Sequence, residues 1–470
     1  MQHSFQIGIR LLFPALLAFG TVACSTLPGA DTDAGQMLSL YTVQTEGGAA
    51  IARLITSASS CPSILIDGST VTMQQRTTPE TVPARTGGAQ ADSKAAAFPV
   101  SSCEASLPRG TKSASIGAEA FPLAPAVNQR IVVIGDTGCR AKQSDHAFQA
   151  CSDGAAWPFA EIAKNAAALK PDLVIHLGDL HYRESPCPAD MAGCANSPWG
   201  YGWDTWEADF FTPARALLKA APWVFVRGNH ESCARAGQGW FRYLAPQPWT
   251  EARSCNDPAR DGDGDADFSA PYSVALTSTT QLIVFDSAKT GAKVYKGSDR
   301  DYHTYVTQFR QVDTLVKQLP HNFFLTHHPI LALAPGKDID APRPGNAALQ
   351  SVMRTLHPDR LFPAGVDLAM NGHEHVFEVL GFSSDHPATL GLGNSGTMTE
   401  GRLPEVLPAG VEPAPGALIN DFVTRQGLGF ASLEQSAQGW RMTEFSVQGK
   451  PIFQCALQDG KSKCERVGEE

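Results

Sequence analysis

From residue 130 onward the chain repeats one pattern: a short apolar run that stops abruptly at Gly, Asp, Asn or His. Residues 131–134 end at Gly135-Asp136, residues 173–177 at Gly178-Asp179, and residues 223–226 run up to Gly228-Asn229-His230-Glu231. Residues 322–325 end at Thr326-His327-His328-Pro329, and residues 366–370 at Asn371-Gly372-His373-Glu374-His375. Runs this short and this continuously apolar predict strands buried on both faces. Between them the period changes. Residues 158–169 read as a helix with Pro158 near its first turn. Residues 203–220 are amphipathic through Trp206, Phe210, Phe211, Leu217 and Leu218, with Pro213 placed to kink or divide them. Residues 302–319 and 346–356 predict two further helices, and residues 272–276, 281–285, 388–392 and 430–447 predict strands. Strands alternating with helices indicate an α/β domain.

Upstream the texture is different. Residues 63–73 predict a hairpin, SILI and STVTM about Asp67-Gly68, a pair suited to a tight primed turn. Residues 77–97, rich in Thr, Pro, Gly and Ala, read as an exposed loop. The first residues place Arg10 before an apolar run, 11–22, with small residues leading into Cys24, which predicts an export signal rather than a spanning helix. The predicted divisions are a signal peptide over 1–24, a tether over 25–45, a small β-rich module over 46–126, an α/β domain over 127–450, and a tail over 451–470 carrying a disulfide.

Composition narrows the compartment and the partners. The 470 residues suffice for two to three domains, and no internal apolar run is long enough to cross a bilayer. A net charge of −10 and a pI near 5.7 argue against a broad nucleic-acid surface. Thr21-Val22-Ala23-Cys24 resembles the bacterial lipobox, in which the Cys is lipidated, and Ser25 by analogy favours the outer membrane. Ordinary cleavage after Ala23 would leave a periplasmic or secreted protein. Of the eleven cysteines, ten remain beside Cys24, an even set suited to an oxidising compartment. Sequence-local pairing joins Cys61 with Cys103, Cys139 with Cys151, Cys187 with Cys194, Cys233 with Cys255 and Cys455 with Cys464. No C-x-x-C spacing occurs, which disfavours metal thiolates. The acidic segment 261–267 carries the alternate carboxylates of a calcium loop. It has Ala266 where that loop needs Gly and Tyr272 where it needs an acid, so it reads as a solvated loop.

The polar residues at the strand ends then have to be weighed together. Singly, Asp136 is a turn residue, Asn229 a helix cap, and His327 or His328 a loop histidine. His373 and His375 flank one residue, so on a strand they share a face. The single readings do not explain why all five sets sit where strands end, on one edge of the expected sheet. Carboxylate, amide oxygen and imidazole are hard-to-borderline ligands, too many for one cation and enough for two. A carboxylate can bridge two metals ~3.5–4 Å apart, an arrangement used on phosphate esters. Asp179 is the natural bridge.

The ordered set GDTG (135–138), GDLHY (178–182), GNHE (228–231), FLTH (324–327) and GHEH (372–375) resembles the calcineurin-like metallophosphoesterase superfamily, and within it the purple acid phosphatase branch. The branch rests on a swap. Most of the superfamily carries Asp-x-His in the first motif; here Gly138 stands there, and Tyr182 supplies a ligand from the second motif. The resemblance implies a four-layer sandwich, two mixed sheets flanked by helices. It implies one metal, Fe(III), on Asp136, Asp179, Tyr182 and His375, and a second, divalent Fe, Zn or Mn, on Asp179, Asn229, His327 and His373. His328, where plant members have Ser, is left to face substrate or support a ligand. It further implies a small-molecule phosphate ester attacked by a metal-activated hydroxide, with His230 donating a proton or a phosphate hydrogen bond. Glu231 is expected to orient His230. His181 stands either near the leaving group or on the surface. Acid phosphomonoesterase is the leading expectation, phosphodiesterase the alternative within the same chemistry, and an inactive surface lipoprotein the alternative outside it.

Overall fold

The computed structural model describes residues 35–86, 94–257 and 265–469. The export signal, Cys24 and most of the acidic segment (261–264) lie outside the described residues.

Side-chain alternation along the buried strands decides the layering. In the strand Arg130–Ile134, Ile131 and Val133 join a core with Leu282, Phe323, Leu325, Leu368 and Met370 from a second sheet. Val132 and Ile134 point the other way, onto Phe159 and Ile162 of the helix Phe159–Ala168. In the second sheet, Ile283 and Phe324 turn outward onto Phe309 and Leu349, which belong to the helices Arg300–Leu315 and Ala347–Leu356. Both faces of each central strand are therefore buried, and the order is helix, sheet, sheet, helix, the expected four-layer sandwich.

The first sheet has eleven strands. At its centre Arg130–Ile134, Leu173–His176 and Trp223–Phe225 run parallel, so their carboxyl ends lie on one edge. The second has seven, with Thr280–Val284, His321–Leu325, Val366–Asn371 and Ala388–Leu392 parallel.

The expected divisions do not follow the sheet. Residues 37–44, placed in the tether, form the strand Met37–Gln44, parallel to Trp223–Phe225. Ala50–Thr56, Ser101–Leu107 and Gln74–Thr77 extend the same sheet beyond it. The N-terminal region is thus β-rich but continuous with the α/β core: Tyr41, Val43 and Ile55 enter the large aromatic core, while Leu40, Ala52 and Leu54 line a small separate one. Buried Arg53 and Arg76 fasten the join, donating to the carbonyls of Tyr243, Ala245, Phe241 and Gln247. The tail is no tail either. Pro451–Gln458 and Lys461–Arg466 are the last two strands of the sheet, and Cys455 faces Cys464 across them. Within the expected loop 77–97, Glu80–Val82 pairs with Ala96–Phe98, because Val82, Ala96 and Phe98 have a core to enter.

Other local expectations hold. Asp67 (φ 47) and Gly68 (φ 83) make the primed turn between Ser63–Ile66 and Ser69–Thr72. The helical stretch around Pro213 breaks into Trp203–Trp206, a π-turn Glu207–Phe211, and Arg215–Leu218. All five expected disulfides form. Among the described residues no helix is long and apolar enough to cross a membrane.

Candidate metal centre

The five strand ends converge. Asp136 and Asp179 each follow a parallel strand in left-handed backbone (φ 55 and 56), and His373 does so at φ 75. Such strain in non-glycine residues persists only where the surroundings fix it, and it concentrates at functional sites. Here the turns are tied to each other: Asp136 N–H donates to the Gly178 carbonyl (3.0 Å), Thr137 N–H to that of Asp179 (3.0 Å), and His373 N–H to Asp136 Oδ2 (2.9 Å). His373 and His375 therefore lie in a turn beyond the strand Val366–Asn371, not on one strand face as expected. The turn still brings both rings inward.

Two clusters result, sharing Asp179. In the first, the Tyr182 hydroxyl lies 2.9 Å from each of Asp136 Oδ1, Asp179 Oδ2 and His375 Nε2. In the second, Asn229 Oδ1 lies 3.0 Å from His327 Nε2 and 3.0 Å from His373 Nδ1, and His327 Nε2 lies 3.1 Å from Asp179 Oδ2. The ligand atoms of Asp179, His327 and His373 lie within 4.8 Å of one another.

Proton counting tests whether this set fits cations. His375 Nδ1 is 2.9 Å from the Met398 carbonyl, and His327 Nδ1 is 2.9 Å from that of Leu177. A carbonyl only accepts, so each Nδ1 carries the proton and each Nε2 presents a lone pair. The Tyr182 hydroxyl then has one proton for three acceptors. On the other side, the lone pair of His327 faces two oxygens that also only accept. Buried acceptors packed against acceptors need positive charge between them. The protein alone answers with a proton: burial opposes charge on His327, but the Asp179 carboxylate outweighs it and pushes the ring up to about 9. The donor set fits two cations, and the carbonyl-held histidines have the second support usual for metal-binding imidazoles.

Gly138 explains the swap in space. A Cβ there would meet the Leu180 carbonyl oxygen at 2.7 Å, the Tyr182 nitrogen at 2.9 Å and the Tyr182 ring at 3.0 Å. A side chain in the first motif and the Tyr182 ring compete for the same volume.

Two expectations are revised. Glu231 does not orient the His230 ring. It is fully buried, and its carboxylate accepts from the N–H groups of Asp179, Leu180, His181 and Gly228 at 2.8–3.1 Å, bracing two motifs at once. Glu184, which the motifs do not single out, is the carboxylate that pairs with His230, at 2.8 Å from Nδ1. His181 is not on the surface: it is fully buried, its ring 5.6 Å from both Tyr201 and Trp206, with no hydrogen bond on either nitrogen among the described residues. His230 stays at the cluster, its ring 3.8 Å from that of Tyr182 and its Nε2 3.8 Å from Asp179 Oδ2; burial, then Arg235, hold it down at about 3. His328 packs 4.4 Å from the His373 ring and bonds Ser287 Oγ at 3.1 Å. Asp209, on the π-turn, is a further residue that only tertiary structure reveals. It accepts from the N–H groups of Tyr182 (2.8 Å), Arg183 (3.1 Å) and Cys139 (3.1 Å).

A family model, calcineurin-like phosphoesterase, matches residues 129–377, more than half of the chain. The chain belongs to the calcineurin-like phosphoesterase family. Among solved structures it is similar to a purple acid phosphatase, PPD1, isolated from yellow lupin (Lupinus luteus) seeds: 13% identity over 90% of this chain and 73% of that one, TM-score 0.51. It is also similar to PhoD, at 11% identity over 94% of both chains, TM-score 0.53. At such identities the likeness is one of fold. No curated protein matches the chain. Membership makes it a metal-dependent phosphoester hydrolase of a family that works with a dinuclear metal centre.

Proposed function

We propose that this chain is an exported acid phosphomonoesterase carrying Fe(III) on its phenol side and a divalent ion on its amide side. Asp136, Asp179, Tyr182 and His375 would hold the first, and Asp179, Asn229, His327 and His373 the second. The observation that carries this reading is the Tyr182 hydroxyl set 2.9 Å from three acceptors, since a phenolate is an anionic ligand suited to a ferric ion. Two bound cations polarise phosphoryl oxygens and supply hydroxide near neutral pH or below. The protein's own part is to place that chemistry. Asp179 spans both positions, Glu231 and Asp209 lock the backbone around it, and His230 keeps Nε2 toward the cluster while its Nδ1 proton goes to Glu184. Export is supported by the five disulfides. A lipid anchor at Cys24 would hold the enzyme at a membrane surface; mass spectrometry of the mature N-terminus tests it.

Metal analysis paired with turnover of p-nitrophenyl phosphate and bis(p-nitrophenyl) phosphate decides the function. Iron with one further metal, and faster monoester turnover, is the expected result. A protein that takes up no metal and hydrolyses neither ester overturns the reading, and faster diester turnover replaces monoesterase by diesterase.

A further inference from the structure

Arg235 stands on the turn beyond Glu231, and no motif singles it out. Its guanidinium forms a two-point pair with Glu184: Nε lies 2.9 Å from Oε2, and Nη2 contacts Oε1. The same Nη2 lies 2.6 Å from both ring nitrogens of His230, whose Nε2 is 3.8 Å from Asp179 Oδ2. Arg235 therefore sits one ring from the shared carboxylate. Nη1 has no hydrogen-bond partner among the described residues, and 14% of the side chain remains exposed. A cation at the mouth of the cluster thus keeps a free pair of N–H donors.

The surroundings hold this cation in place. Glu184, 7% exposed, is fixed from a further side by the Tyr201 hydroxyl at 3.0 Å. The turn is closed by Arg235 N–H to the Ser232 carbonyl (2.9 Å) and Ala236 N–H to that of His230 (2.9 Å). The disulfide Cys233–Cys255 ties the turn to a second loop, and Arg85, from the N-terminal region, donates to the carbonyls of Cys233 and Arg235. The pair with Glu184 holds the side chain and the other contacts hold its turn, while the Nη1 donors bond nothing among the described residues. A fixed guanidinium matches the paired oxygens of a phosphoryl group better than any other side chain.

Resting on the phosphoesterase reading above, we propose that Arg235 is the phosphoryl-binding residue of the site. Its Nη1 donates to non-bridging oxygens that the metals leave free, and Glu184 is the positioning residue that aims it. The arrangement favours a ligand with two negative charges, a terminal phosphate, over a singly charged diester.

The test uses the full-length, metal-loaded protein with inorganic phosphate as probe, its binding measured by calorimetry beside KM and kcat for the two nitrophenyl esters. Arg235→Ala weakens phosphate binding and raises KM for the monoester about tenfold or more, a charge-assisted hydrogen bond's worth, with a smaller change for the diester. Metal content and visible absorbance stay at the wild-type level. Arg235→Lys recovers part of the loss and guards against a misfolded Ala variant; Glu184→Gln lies between. Phosphate affinity unchanged in Arg235→Ala overturns the proposal, as does a loss of affinity that Arg235→Lys does not relieve and that tracks lost metal. If the wild type binds phosphate through Arg235 but hydrolyses neither ester, the function reading fails and this one stands. If it hydrolyses esters with affinity indifferent to residue 235, the reverse holds.

Discussion

The two sides of Asp179 are built from the same kinds of strand end yet differ in centre and exposure. On one side three ligand atoms meet a phenol; on the other two imidazoles meet an amide oxygen. The phenol side is closed: Asp136 is fully buried, Tyr182 is 1% exposed and His375 6%. On the amide side Asn229 and His373 are only half-buried. The closed side is suited to a charge that stays, the open side to a cation that exchanges and to the approach of an ester. Asp179 belongs to both, so it is the place to break the comparison altogether. Asp179→Asn removes the shared anionic ligand. With metal charge stabilisation worth several kcal/mol and 1.36 kcal/mol per decade, kcat/KM falls about 10³-fold or more, and metal analysis shows both ions depleted.

Substitutions on either side should then separate. Tyr182→Phe abolishes visible absorbance and lowers iron content, with turnover down about 10²-fold. Asn229→Ala lowers the divalent ion by a comparable factor and keeps the colour. Colour retained in Tyr182→Phe, or lost in Asn229→Ala, would merge the two sides. Brief chelation offers the same contrast without mutation: the open side should empty first, with activity lost before absorbance.

A smaller effect reaches the phenol side through sterics alone. In Gly138→Ala the added methyl meets the Leu180 carbonyl at 2.7 Å and the Tyr182 ring at 3.0 Å, and something must shift. Overpacking of this kind costs ~1–3 kcal/mol. Thermal unfolding should show it as a lower Tm, and the absorbance maximum should move because the phenol does. The divalent site should be unaffected. A shift confined to Tm would uncouple Gly138 from the phenol and leave the swap a matter of sequence only.

The difference between the sides also separates what was legible in the sequence from what was not. The seven candidate ligands stand directly after short apolar runs, so strand period and polar terminus announce them in one dimension. The parallel strands were legible for the same reason, being buried on both faces. Met37–Gln44 was not, because its place beside Trp223–Phe225 is set by pairing across the chain, and its local alternation serves two different cores. The braces were hidden likewise. Glu184, Asp209 and Arg235 act through partners that are remote in sequence or folded back by a turn, and Asp209 sits among apolar residues of a helical stretch, where nothing local marks it as a brace. Glu231 was visible as a motif residue, but its partners are backbone N–H groups, which carry no sequence mark.

Asp209 permits the narrowest test, because it braces only one side. Its Oδ2 accepts from the Tyr182 and Arg183 N–H groups, and its Oδ1 from the Cys139 N–H and the Arg183 guanidinium at 2.6 Å. It therefore joins the loop after Asp136 to the loop after Asp179 behind the phenol. Among the described residues its carboxylate makes no hydrogen bond to Asn229, His327 or His373. In Asp209→Asn one oxygen becomes an amide, so at least one of these N–H groups faces a donor and loses its partner. Loss of such outer support typically costs 10–100-fold in metal affinity or activity, and the low end applies because one oxygen remains. Iron affinity should fall about tenfold, with divalent affinity unchanged. An equal loss on both sides would show that Asp179 transmits the disturbance, making the centre one rigid unit rather than two sides with separate supports.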